Sequence, residues 1–236
     1  MRRLAEIYDP VEGQREDLDH YLAIAAEFGA RSVLDVGCGT GTLACLLADR
    51  GVEVVGVDPA TASLEVARAK PGAERVRWLH GDASTLPELQ VDLATMTANV
   101  SHVILSDEDW SATLCGIHDA LRPGGHLVFE ARDRSRKMWL NWNREGTYQR
   151  LDVPGVGTVE TWWDLNEVDG DYVSYRRTYV FGADRATLTS DSTRRFRSRA
   201  EIEGSLLSAG YTLVDVHDAP DRPNYEWIFV ARAEHL

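Results

Sequence analysis

The sequence predicts a doubly wound, mostly parallel seven-stranded α/β sheet interrupted after its fifth strand by an antiparallel β insertion. Three observations predict it. Apolar runs alternate with helix-period segments from Ser32 to Glu130, as strand–helix–strand crossovers require. The first run, Ser32 to Val36, leads straight into three alternating glycines, Gly37, Gly39 and Gly41, and then into a helical pattern. From Tyr148 to Phe196 the helical period disappears, and apolar and polar residues alternate one by one.

Taken in order, Val11 to Phe28 reads as a helix with Leu18, Tyr21, Leu22 and Ala25 on one face and Gly29 as its stop. Strand one (Ser32 to Val36) is followed by a helix over Thr42 to Asp49. Strand two (Glu53 to Val57) ends in Asp58-Pro59, and the next helix, Ala62 to Lys70, is closed by Pro71-Gly72. Arg75 to Leu79 and Val91 to Met96 are strands three and four. A helix over Asp107 to Leu121, a turn at Arg122-Pro123-Gly124-Gly125 and strand five (His126 to Glu130) complete the parallel part. Val159 to Leu165, Tyr172 to Phe181 and Ala186 to Phe196 then read as an antiparallel meander with turns at Asp169-Gly170 and Gly182-Ala183-Asp184. Ser198 to Ala209 resumes as a helix, and Tyr211 to His217 with Glu226 to Ala231 forms an edge hairpin. The chain is thus one domain, 1–236, with an N-terminal helical cap (1–30), a parallel core (31–145), a β lid or insertion (146–197) and a final helix with its hairpin (198–236).

At 236 residues there is room for one large α/β core. A hydrophobic fraction of 44% with 27% charged residues is the composition of a soluble globular chain. No apolar run approaches the roughly 20 residues of a membrane helix, and the opening residues lack the apolar centre of a signal peptide. Cys38, Cys45 and Cys115 are odd in number and not at metal spacing, which implies free thiols, a cytoplasmic setting and no metal site. The net charge of −13 repels phosphate polymers and argues against a nucleic-acid substrate. Two local basic runs, Arg132 to Lys137 and Arg194 to Arg199, read either as solvated faces or as a receptor for an anionic group on a small substrate.

Glycine is needed where the backbone takes positive φ or where a ligand leaves no room for a Cβ. The amides that open the following helix carry partial positive charge toward such a ligand. The spacing here is G-x-G-x-G, one residue short of the dinucleotide fingerprint, and Asp35 lies in the strand just before it. A pyrophosphate gains nothing from that carboxylate, whereas a cationic ligand does.

Four segments, Leu34-Asp35-Val36-Gly37-Cys38-Gly39-Thr40-Gly41, Val57-Asp58, Gly81-Asp82-Ala83 and Leu121-Arg122-Pro123-Gly124-Gly125, resemble the successive motifs of the class I S-adenosylmethionine-dependent methyltransferases of small-molecule type. They stand in that family's order and spacing over about Ser32 to Ala131. The resemblance implies the Rossmann-like methyltransferase fold, S-adenosylmethionine as cofactor and S-adenosylhomocysteine as product. It also implies a cofactor site made of Asp35, Gly37, Cys38, Gly39 and Gly41, of Asp58 with Pro59, and of Asp82 with Ala83. Asp58, at the carboxyl end of strand two, stands where an open α/β sheet presents a carboxylate to a ribose diol, or where it caps a helix. Asp82 would read the adenine edge together with the Ala83 amide, or cap the turn after it. Asp35 would face the methionine ammonium. Asn99 is placed to touch the methionine part or the acceptor, and Tyr8 and Tyr21 to close the pocket from the N-terminal segment or to pack in the core.

Methyl transfer from a sulfonium is an in-line displacement that demands orientation and desolvation, with a general base only where the nucleophile must lose a proton. His102, just after strand four, is the candidate base because its ordinary pKa is near neutrality; Glu130 and Asp133 stand behind it. Trp139, Trp142, Trp162, Trp163, Tyr172, Tyr175 and Tyr179 build the insertion's own core, line a lid over an aromatic or amine-bearing small-molecule acceptor, or offer a homodimer contact. Two other readings of the chain remain: a non-catalytic or regulatory cofactor-binding protein of the same fold, and a methyltransferase acting on a macromolecule. A nicotinamide oxidoreductase would require the absent G-x-G-x-x-G.

Overall fold

The computed structural model describes residues 2–234; Met1, His235 and Leu236, which the ranges 1–30 and 198–236 include, lie outside the described residues. The main sheet contains β1 (Ser32–Val36), β2 (Glu53–Asp58), β3 (Val76–His80), β4 (Val91–Met96), β5 (Leu121–Arg132), β10 (Tyr211–Asp218) and β11 (Glu226–Ala233). Its spatial order is β3-β2-β1-β4-β5-β11-β10, parallel from β3 to β5, with β11 antiparallel to both of its neighbours. This is the predicted doubly wound sheet with its edge hairpin.

The strands are apolar on both faces because helices cover both. All five residues of β1 are buried, and alternate residues serve opposite layers. Val33 packs with Leu18, Leu22 and Leu47, from α3 (Asp17–Glu27) and α4 (Thr42–Asp49), on one side. Leu34 packs with Leu114, Ile117 and Ile202, from α6 (Asp107–Ala120) and α8 (Arg199–Ser208), on the other. Removing each such side chain from water contributes about 1.5–3 kcal/mol. Among the described residues no helix is long and apolar enough to cross a membrane.

Three boundaries differ from expectation. The N-terminal helix is not continuous over Val11 to Phe28: α1 (Arg2–Glu6) and α2 (Tyr8–Glu12) precede α3, because Gly13 takes a left-handed φ of 73° and ends α2. Strand β5 already begins at Leu121, so Pro123-Gly124-Gly125 is an irregular stretch of strand where the pairing with β4 shifts register between Val91 and Leu93. The insertion has four strands, not three: β6 (Gln149–Val153), β7 (Gly157–Asp169), β8 (Tyr172–Phe181) and β9 (Thr187–Arg195), antiparallel in chain order. β6 escapes a pattern search because it is a short edge strand whose charged Arg150 and Asp152 protect it from mispairing.

The insertion is fastened at both ends. Val153, Val159 and Phe181 pack with Ile7 and Val11 of the N-terminal helices. At the other end Arg195 donates to the Leu105 carbonyl at 3.0 Å, and Arg197 to those of Ile104 and Ser106 at 2.8 and 2.9 Å. These bonds clamp the loop that follows β4.

Candidate active site

The glycine loop between β1 and α4 is held by backbone bonds. Gly37 and Cys38 both donate to the Val57 carbonyl, at 2.8 and 3.1 Å, and Gly41 donates to Cys38 at 2.8 Å. Gly37 has a φ of 69°, and a Cβ on it would lie 2.4 Å from a Val100 methyl. Gly41 is packed rather than open: a Cβ there would meet the Trp78 ring at 2.3 Å. Gly39 is the one with space in front of it, its nearest neighbour being the Gly37 carbonyl at 4.0 Å.

Asp58, at the end of β2, accepts from the Gly39 amide at 2.8 Å and from the Ala60 amide at 2.7 Å. One carboxylate therefore joins the glycine loop to the start of α5 (Thr61–Arg68), and each oxygen keeps a lone pair for a further donor. Pro59 contributes its carbonyl, 3.0 Å from His80 Nε2. Asp82 accepts from the Ser84 amide at 2.9 Å and caps a single turn over Ala83–Thr85. Ala83 is pressed on by α6: a Cβ on Gly116 would stand 1.9 Å from the Ala83 carbonyl.

Asp35 is buried, and its Oδ1 accepts from Thr95 Oγ1 at 3.2 Å. Burial pushes its carboxyl up to about 7, against the pull of the Thr95 bond and the Arg15 guanidinium. It lines a small cleft of about 40 Å³ with Gly37, Cys38, Gly39, Tyr8 and Arg15. Burial, with Asp35 and Asp58 nearby, pushes the Cys38 thiol well up, so this cysteine stays neutral. Asp9 of α2 accepts from Oγ1 of Thr40, a cleft-lining residue, and pairs with Lys70 at 2.6 Å.

Beyond the cleft lies a chamber of about 520 Å³ between the N-terminal helices, the carboxyl ends of β4 and β5, and one face of the lid. Tyr8, Arg15 and Ala98 line both spaces. Ala98 and Asn99 are consecutive residues with left-handed φ, 58° and 62°, a conformation that costs about 1–3 kcal/mol each and recurs at working sites. The lid contributes Trp163, Tyr175, Tyr179 and Arg177 from one strand face, as the alternation of Tyr175 and Tyr179 requires. Trp162 points the other way, toward Asp164 and Arg144. Trp139 and Trp142 build the lid's own core with Phe196, and Tyr172 donates to the Leu105 carbonyl.

The chamber floor is Glu130. Its Oε2 accepts from the Tyr21 hydroxyl at 2.7 Å, and its Oε1 from the Asn99 amide and side chain at 2.7 and 2.9 Å. Burial, aided by the neighbouring Glu226 carboxylate, pushes Glu130 up to about 7. Tyr21 is thus buried beneath the chamber and holds Glu130 rather than closing the pocket. The Asn99 Oδ1 is buried with no hydrogen-bond partner among the described residues, an acceptor available to a ligand donor.

His102 is not at the chamber. Its ring is buried; Nδ1 lies 2.7 Å from the Arg195 carbonyl and Nε2 accepts the Arg132 amide at 2.9 Å. Burial lowers its pKa to about 3. The expectation of a general base is corrected on both counts: no ring nitrogen is free and the proton affinity is too low. Sequence reasoning also missed Asp9, Arg15, Glu226 and Gly116. Glu226 precedes the apolar run Trp227 to Ala231 of its strand, and Gly116 interrupts a helical pattern, both being signals of a special environment. Asp9 and Arg15 carry no such signal. Among the described residues no cluster of metal-ligating side chains occurs.

Over nearly its whole length the chain has the fold of S-adenosylmethionine-dependent methyltransferases. It covers 99% of its own residues and 98% of those of such an enzyme from Clostridium acetobutylicum, with a TM-score of 0.81 at 19% identity. It covers 94% and 93% in the match with the S-adenosylmethionine-bound amino pentose methyltransferase CalS10 of Micromonospora echinaspora, with a TM-score of 0.69 at 21% identity. Residues 33–125 match a family described as a methyltransferase domain. The ubiquinone biosynthesis O-methyltransferase of Idiomarina loihiensis is 34% identical over 134 residues, which are 50% of this chain and 54% of that protein. The chain spans about half the length of the curated relatives it matches.

Proposed function

We propose that the chain moves the methyl group of S-adenosylmethionine to a small-molecule acceptor by in-line displacement. The observation that carries this reading is the meeting of cleft and chamber at Tyr8, Arg15 and Ala98, which sets a donor cradle and an acceptor room end to end. The residues fit the cofactor. The space before Gly39 is one that a Cβ would fill, Asp35 keeps an oxygen for a cation, and Asp58 keeps lone pairs for hydroxyl donors. When bound, that group supplies an electrophilic methyl on a sulfonium.

The chain's residues do the rest. Asp35 receives the ammonium, Asp58 the ribose hydroxyls, and the turn at Asp82-Ala83 borders the base. Glu130, on the chamber floor with a pKa raised toward neutrality, takes the proton that the acceptor's nucleophile releases. Tyr21 and Asn99 fix that carboxylate in place. Orientation in a partly dehydrated chamber supplies most of the remaining acceleration. An acceptor of small size is supported by the chamber's volume, by the O-methyltransferase relative and by the amino pentose methyltransferase of like fold. Three free thiols suit a reducing cytoplasm.

Calorimetry with S-adenosylhomocysteine and with NAD tests the cofactor. S-adenosylhomocysteine should bind, and Asp58→Ala should weaken it by about 1–3 kcal/mol. Binding of NAD with none of S-adenosylhomocysteine would overturn the reading. A screen of small-molecule extracts with a labelled methyl donor then identifies the acceptor by mass.

A further inference from the structure

Most arginines that line the chamber are paired with a carboxylate. Arg15 pairs with Asp17 at 2.7 Å and Arg177 with Glu12 at 2.6 Å. Arg132 and Arg222 share the Glu226 carboxylate at 3.2 and 3.3 Å. Arg194 on β9 is different: among the described residues no carboxylate lies within ion-pair distance of it. Its Nε donates to the Tyr175 hydroxyl at 3.0 Å, and its guanidinium lies 5.6 and 6.0 Å from the ring centres of Tyr175 and Trp163. Those contacts aim the group and leave its terminal N–H donors without a protein acceptor among the described residues.

Two further observations point to anion recognition. Alternation along β9 puts Ser190 and Ser192 on the same chamber-lining face as Arg194, adding two hydroxyl donors beside the guanidinium. Arg194 also acts on Arg132: the Arg132 guanidinium is held below its ordinary value, first by burial and next by Arg194. Two like charges thus face one space, and the Glu226 carboxylate is already divided between Arg132 and Arg222. A planar guanidinium with free donors matches the two oxygens of a carboxylate or phosphate. In a chain of net charge −13, which repels anions at a distance, capture of one needs such a local cation.

We propose that the lid end of the chamber is an anion subsite, so that the acceptor carries an oxyanion group, received by Arg194 with Ser190 and Ser192. This rests on reading the chamber as the acceptor's room.

The test uses benzoate and inorganic phosphate as probes, titrated by calorimetry into the whole protein with and without S-adenosylhomocysteine. Both anions should bind, more weakly as salt rises, and neutral benzamide should not bind. Arg194→Gln should weaken the anions about tenfold. Arg176→Gln, which removes an exposed arginine paired with Asp191 on the outer face, should leave them unchanged. The tighter of the two probes names the group as carboxylate or phosphate. Absence of anion binding, or equal binding by wild type and Arg194→Gln, overturns the subsite. Should Arg194→Gln fail to fold, Arg194→Lys keeps the charge without the fork; an undiminished affinity there overturns the proposal equally. The two readings fail separately. Arg194-dependent anion binding without any S-adenosylhomocysteine binding would sink the methyl-transfer reading and leave the subsite standing.

Discussion

The cradle and the chamber are built by different means. The cradle is backbone: amides of Gly37, Cys38 and Gly39 are committed to Val57 and Asp58, all within 25 positions of one another in the chain. The chamber is side chains, assembled from α3, β5, β8 and β9 and held by contacts such as Arg177 with Glu12, 165 positions apart. On the proposed reading the loop fixed by its own backbone receives the cofactor, and the wall of long, separately anchored side chains, open to change residue by residue, selects the acceptor.

The sharpest break in that contrast is Glu130→Gln. It keeps most of the floor's hydrogen bonds and removes the proton acceptor, so turnover should fall by about 10²–10³-fold with S-adenosylhomocysteine affinity intact. Equal losses in both would mean that floor and cradle are one unit. Next comes Asp35. Its carboxyl sits at about 7 in the fold against an ordinary 3.8, so between those values the folded chain holds a proton that the unfolded chain has lost. The contribution of Asp35 to stability therefore falls as pH rises from about 4 to 7 and is level above. Asp35→Asn should overtake the wild type across that window by at most about 4 kcal/mol in urea titrations at pH 5 and pH 8. A parallel pH dependence of the two proteins would show that the carboxylate is already solvated.

Gly37→Ala strains the loop itself, through its positive φ and the Val100 contact, and should cost about 1–3 kcal/mol of stability together with most cofactor affinity. Smallest is Asp9→Ala, which releases Thr40 and Lys70. A part-exposed pair of this kind is worth about 0.2–1 kcal/mol, and the loss should shrink in high salt. A denaturation midpoint that moves as far as that of Gly37→Ala would place the N-terminal helices inside the cradle's cooperative unit.

The same contrast explains what could be read from the sequence. Glycine positions, strand ends and the acids beside them are contiguous, and backbone geometry demands those residue types. The alternation of strands and helices and most element boundaries follow from periodicity for the same reason. Glu130 was visible only as an acid after a strand, because its environment is supplied by Tyr21, Asn99 and Glu226, which are 109, 31 and 96 positions away. His102 was misread through the same gap: its sequence neighbourhood resembles an active-site edge, and only the return of β9 shows that its ring is engaged on both sides. The lid's aromatic residues were legible as a group, and the faces of Trp162, Trp163, Tyr175 and Tyr179 followed from strand alternation, whereas the burial of Trp139 and Trp142 depends on tertiary packing.

His102 joins β5 to β9 as a neutral ring in a place that water does not reach, and that makes it an acid fuse. In the unfolded chain it titrates near 6.5, in the fold only at about 3, so below pH 6.5 the unfolded chain gains a proton that the fold refuses. Each pH unit lost in that interval withdraws up to about 1.4 kcal/mol from the seam between lid and sheet. Through His102 the seam between lid and sheet keeps its full stability above about pH 6.5 and weakens as the pH falls below it.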